Sequence, residues 1–255
     1  MIVSTTNIAI AAGITATPDS SLQDINVVAD GDYSSVYTDA LSGQVVINLT
    51  LQAALDVGYI ALGGTNIARQ TSIKIETSTS ATGTPAVEVV NDSLLATESS
   101  VMMYKLDAVA IRRVSITITG TGGISIAEIA MGDYYEIPRS YQAGYKFPWS
   151  VPNIKARSSV GLDSSPVNLS YESRMLQTSI SVPNNIMADF DSGWYKFIKF
   201  AANNTFYVLE DDNKFHSYAG FNAVPAMTSA HSQTRTLGVS AIAFNAFAKS
   251  TEALF

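Results

Sequence analysis

The chain has 255 residues, 47% hydrophobic and only 15% charged, with a net charge of −7 and no cysteine. That length holds one large or two ordinary domains. The missing cysteines exclude disulfides, zinc–thiolate centres and thiol nucleophiles, and without a basic stripe the chain has nothing to draw a nucleic-acid backbone. The charged fraction lies well below the usual quarter or so, so Ser, Thr, Asn and Gly must build much of the surface. Six aspartates and no Lys or Arg precede Arg69. No apolar run is long enough to span a bilayer. The apolar start Ile8-Ala9-Ile10-Ala11-Ala12 lacks a positive flank, so neither a signal peptide nor membrane insertion is expected.

In chain order, the first elements read as strands. Val45, Ile47, Leu49 and Leu51 alternate with Asn48 and Thr50, the period of a half-buried strand. Ile73 and Ile75 alternate with Ser72, Lys74 and Glu76; Val114, Ile116 and Ile118 alternate with Ser115, Thr117 and Thr119. Gly63-Gly64, Ala81 to Pro85 and Thr119 to Gly123 punctuate them. Short strands about ten residues apart predict a β-sandwich over 1–135, with no strong helix in it. An aromatic and proline-rich connection follows over 136–153. A second β-rich part over 154–255 includes strands at Ser158–Gly161, Asn168–Ser173 and Met175–Val182. Trp194, Phe197, Ile198 and Ala201 share one helical face, which predicts a helix near 192–202 that stops at Asn203-Asn204. Thr205–Leu209 and Phe215–Tyr218 then read as a hairpin around Asp211 to Lys214, and Thr234–Phe247 as a long last strand.

By parity Glu128 falls on the same face as Ile124 and Ile126, and a carboxylate on an apolar face must be paired, protonated or coordinated. With Asp30 and Asp32 it could complete an oxygen-only Ca²⁺ site; otherwise Asp30-Gly31-Asp32 is a plain turn and Glu128 reaches solvent or Arg112. No other cofactor is expected. A sugar site needs an aromatic platform and polar partners. The candidates are Tyr33, Tyr37 and Tyr59 with Asn66, Arg69 and Gln70, or the tyrosines are half-buried core. Catalytic inventory is thin: His216 and His231 are the only histidines, and no nucleophile elbow, zinc helix or phosphate loop occurs. A carboxylate pair from distant positions is the one enzymatic arrangement left open, and the expectation is a protein without turnover. Tyr141, Tyr145, Phe147 and Trp149, with Phe247 and Phe255 near the end, are candidate subunit contacts.

Two resemblances add to this. Val28-Ala29-Asp30-Gly31-Asp32-Tyr33, Val45-Val46-Ile47-Asn48-Leu49 and Ile126-Ala127-Glu128-Ile129 resemble the opening and close of galactose-binding, discoidin-like modules. The tryptophan usual after the Asp-Gly turn is replaced by Tyr37. Val57 to Ile67, followed by Gly132-Asp133-Tyr134-Tyr135-Glu136-Ile137-Pro138-Arg139 and then a Trp-led helix, is similar to minor structural proteins of tailed bacteriophages. Together they imply an all-β fold: an N-terminal jelly-roll sandwich followed by a second β-rich domain with one short helix. They imply a homo-oligomeric virion component of neck, tail or baseplate, partnered by other virion proteins. The alternative is an adhesion module for host cell-surface glycans.

Overall fold

The computed structural model describes residues 2–17, 24–31, 35–40, 42–67, 70–83, 87–94, 101–136, 173–183, 193–209, 217–224 and 239–249. Its strands are β1 (Ile2–Ser4), β2 (Gly13–Thr17), β3 (Tyr37–Asp39), β4 (Ser42–Gly63), β5 (Ser72–Ser78), β6 (Val87–Ser93), β7 (Val101–Thr121), β8 (Ile124–Ile126), β9 (Glu128–Gly132) and β10 (Tyr134–Glu136). After these come β11 (Ser173–Pro183), the helix Gly193–Ala201, β12 (Phe206–Leu209), β13 (Ser217–Val224) and β14 (Val239–Lys249). Over the described residues the chain is all-β, a jelly-roll sandwich followed by a β-rich part with one short α-helix.

Strands run in the order β2-β4-β7-β5-β6, and β9 pairs with β4 as well. The alternating residues meet across the central pair: Val45 opposes Ile118, Ile47 opposes Ile116 and Leu49 opposes Val114. All six are buried, and each such apolar side chain contributes roughly 1.5–3 kcal/mol when removed from water. The sequence predicts short strands, yet β4 and β7 run 22 and 21 residues. Their pairing persists through register breaks between Thr50 and Tyr59. Such bulges bend a strand pair without ending it, so both halves of β4 feed one core: Leu49 and Ile60 belong to the same cluster.

A second sheet runs β10-β1-β12-β13-β14-β11. Its members β1 and β10 come from the first 136 residues, and β1 pairs with both β10 and β12. The chain thus threads its first strand into the sheet completed by its last part. Between this sheet and the outer face of the sandwich lies a second apolar cluster, including Ile2, Tyr59, Ala61, Met103, Ala130 and Tyr207. In the helix, Phe197 and Ala201 are buried as its apolar face predicts. Phe197 meets Phe206 edge-to-face at 5.3 Å. The helix stops where expected: the Asn203 and Asn204 backbone N–H groups and the Asn204 amide all donate to the Phe200 carbonyl. Strand β12 pairs with β13 as a hairpin, Phe206 opposite Gly220. The last strand is Val239–Lys249, paired along β11. The strands expected at 158–161 and 168–172 lie outside the described residues.

Candidate functional site

A cleft of about 400 Å³ opens where the bulged middle of β4 and β7 meets the start of the helix. Asp56, Asp107 and Asp133 line it, with Lys196 from the helix and Tyr134 from β10. Val109, 69% exposed, adds aliphatic surface. The bulges place these groups. Asp107 and Ala110 sit at φ 50° and 53°, a left-handed region unfavourable for non-glycine residues and often found where a fold builds a site. The turn is held by the Asp56 carboxylate, which accepts the Ala110 N–H at 2.9 Å. The Tyr134 hydroxyl donates to Asp107 at 2.7 Å. Lys105 lies 3.5 Å from the Asp107 carboxylate and 5.2 Å above the Tyr134 ring. Tyr134 reaches this place because Gly58 has no side chain; a Cβ there would stand 2.7 Å from the ring. Asp133 and Lys196 enter the cleft with no ion pair between them.

Chemically, the cleft offers carboxylate acceptors, an ammonium donor and hydrocarbon walls. The three aspartates are exposed, so none has the apolar enclosure on which a glycosidase acid depends.

The residues singled out from sequence lie elsewhere. Tyr37 is fully buried and its hydroxyl donates to Asp39 at 3.2 Å. Tyr59 is also fully buried, donating to the Thr6 carbonyl at 2.7 Å. The expectation that Tyr37 or Tyr59 forms a sugar platform is therefore corrected: both rings complete apolar clusters. Asn66 is spent on structure, donating to the Gly123 carbonyl and accepting the Ser125 N–H. Gln70 donates to the same carbonyl. Tyr33 and Arg69 lie outside the described residues.

Glu128 is buried, as a carboxylate among apolar neighbours was expected to be, but it faces the other way. A bend at Ala127 separates β8 from β9 and resets the alternation. Ile124, Ile126, Ile129 and Met131 enter the sandwich core, while Glu128 faces Tyr207 of the second sheet. Its Oε1 accepts from the Asn7 amide at 3.1 Å and its Oε2 from the Tyr207 hydroxyl at 3.0 Å; Thr205 also donates to it. Burial pushes its carboxyl up to about 7, against the downward pull of these hydrogen bonds. Both Glu128 oxygens thus already hold hydrogen bonds, and the expected cage also needs Asp30 and Asp32. Asp30 is exposed at the end of a 3₁₀ turn over Ile25–Ala29, and Asp32 lies outside the described residues. Among the described residues no three acidic or histidine side chains are grouped to hold a metal ion.

Of the expected contact residues, Phe247 sits in β14 opposite Met175 and Phe221. Tyr141, Tyr145, Phe147, Trp149 and Phe255 lie outside the described residues, as do His216 and His231.

No protein-family model matches the chain, and no curated protein does. Among solved structures, half of the chain (50%) aligns with 99% of chitosan-binding module 1 of a chitosanase/glucanase from Paenibacillus sp. IK-5, at 18% identity and a TM-score of 0.43. The family 32 carbohydrate-binding module of NanJ from C. perfringens, solved with galactose, aligns over 53% of this chain and all of its own, at 21% identity and a TM-score of 0.40. The lectin domain of lectinolysin, solved with Lewis B antigen, aligns over 51% of this chain and 97% of its own, at 18% identity and a TM-score of 0.42. These similarities are too slight to carry a residue role or a ligand across to this chain.

Proposed function

We propose that this chain is a non-catalytic carbohydrate-binding module and that the cleft between β4, β7, β10 and the helix receives the saccharide. The observation behind this reading is the cleft's mixed lining. Saccharide hydroxyls donate to carboxylates such as Asp56 and Asp133 and accept from an ammonium such as Lys196. The C–H faces of the ring pack on hydrocarbon, which Val109 and the Tyr134 ring supply. The open cleft and its solvated acids favour holding a ligand over cleaving one. The test is binding of the whole chain to a glycan array, followed by calorimetry. The Asp133→Asn plus Lys196→Ala variant should lose at least about tenfold in affinity, roughly 1.4 kcal/mol, while keeping its circular dichroism. No binding on the array, or unchanged binding by that variant, overturns the reading.

A second reading concerns where such a module would work. The phrases at 57–67 and 132–139 and the low charge favour a structural component of a tailed-phage particle, made in the host cytoplasm and assembled as a homo-oligomer with other virion proteins. Mass spectrometry of purified particles decides it, and absence of the chain from them removes it.

A further inference from the structure

Glu128 lies on the outward side of β9. Along that strand Ile129 and Met131 enter the sandwich core, while Ala130, two residues from Glu128, belongs to the cluster that also contains Tyr207. On a bare sandwich this face would meet water, and a glutamate there would be ordinary. Glu128 is only 2% exposed because two other chain segments close over it. One is the arm after β1, which brings Asn7; the other is the entry to β12, which brings Thr205 and Tyr207. We propose that Glu128 is a proton-controlled latch: seating β12 and the N-terminal arm on the sandwich takes up a proton at Glu128, and ionisation of Glu128 loosens that seat.

The partners can serve the protonated form as well as the ionised one. The Asn7 Oδ1 accepts the Ala9 and Met131 backbone N–H groups at 3.1 and 3.4 Å. Its Nδ2 is therefore turned to Glu128 and can only donate. Tyr207 is different, because a hydroxyl both donates and accepts. A protonated Oε2 can donate to the Tyr207 oxygen while Oε1 keeps the Asn7 bond. The ionised form keeps three donors but buries a charge. The titratable groups facing it are Asp30 from the end of the 3₁₀ turn, Tyr59 from β4 and Tyr207 from β12. Asp30 repels a second negative charge, and burial holds Tyr59 above the ordinary phenol range. Among the described residues no Lys or Arg forms an ion pair with Glu128. A buried charge so placed is costly, which agrees with the raised pKa of Glu128.

The test uses the full chain with ¹³C-labelled glutamate. The Glu128 carboxyl should titrate near neutrality in the wild type, and Asp30→Asn should move its midpoint to lower pH. Hydrogen exchange supplies the structural readout. Once corrected for intrinsic chemistry, protection of the Phe206–Leu209 amides should fall by about tenfold or more between about pH 5.5 and 8, while β5 stays level. Glu128→Gln should hold β12 protection level over the same range. Should that variant not fold, the wild-type titration and Asp30→Asn still decide. A midpoint below about pH 5, or β12 protection that follows β5, overturns the proposal.

Discussion

The chain keeps acids in two contrasting places. In the cleft, Asp56, Asp107 and Asp133 stand in solvent, tied by a turn, a tyrosine hydroxyl and an exposed lysine. At the sheet junction Glu128 is enclosed and served by three neutral donors. The same functional group thus does opposite work. Exposed carboxylates cost the fold little and remain available to a ligand, whereas the enclosed one makes folding sensitive to protonation. Burial decides between these roles, since hydrogen bonds are present in both.

The largest test of this contrast is Glu128→Ala. It would strand the Asn7 amide and the Thr205 and Tyr207 hydroxyls without their partner, and losing a buried network of this kind costs roughly 3 kcal/mol. Urea unfolding at pH 6 measures it; a loss below about 1 kcal/mol would mean that water relieves the site.

Next in size is the pH dependence of the wild type. The folded carboxyl of Glu128 titrates at about 7, raised from 4.5, so between those values the native state holds a proton that the unfolded chain has released. Stability from this group is complete below about pH 4.5 and is lost as pH rises through 7. The total is on the order of 3 kcal/mol. Denaturation of wild type and Glu128→Gln at pH 5 and 8 isolates it, because wild type should lose stability relative to Glu128→Gln toward the higher pH. A wild type that gains stability from Glu128 over that interval would reverse the sign and end the argument.

A third test touches the same junction through the backbone. Gly132 has φ +156°, and a Cβ there would meet the Thr6 carbonyl oxygen at 2.8 Å. Gly132→Ala should cost about 2 kcal/mol and, by displacing the arm that carries Asn7, should lower the Glu128 enclosure as well. Thermal melts check the first effect, and the carboxyl titration checks the second. The smallest effect belongs to the cleft: Asp133→Asn should change stability by no more than about 0.5 kcal/mol, since its carboxylate is solvated, while still weakening saccharide binding. A large loss of stability on changing Asp133 would erase the contrast between the two places.

Much of the sandwich was legible beforehand. Val45, Ile47 and Leu49 point inward because a strand alternates its faces, and the same rule places Ile73, Ile75 and Val114 to Ile118. The helix at 193–201 followed from one apolar stripe and an asparagine stop. Strand length was not legible, because bulges in β4 and β7 continue pairing through an exposed run where the polar–apolar alternation lapses. The cleft was not legible either. Asp56, Asp107, Asp133 and Lys196 are scattered along the chain, and the left-handed turn at Asp107 leaves no composition signal. Tyr37 and Tyr59 misled because a tyrosine serves a core as readily as a platform, and only the neighbours tell which.

Glu128 draws the line between the two kinds of information. An alternating pattern is local, and it was enough to mark this carboxylate as one that would need partners. Its direction depended on the bend at Ala127, which shifts the alternation by one residue. Its enclosure depended on Asn7 and Tyr207, segments remote in sequence, arriving over the outer face of β9. Local patterning is set by the geometry of successive residues, whereas burial of an outward face is set by whatever the rest of the chain lays on it.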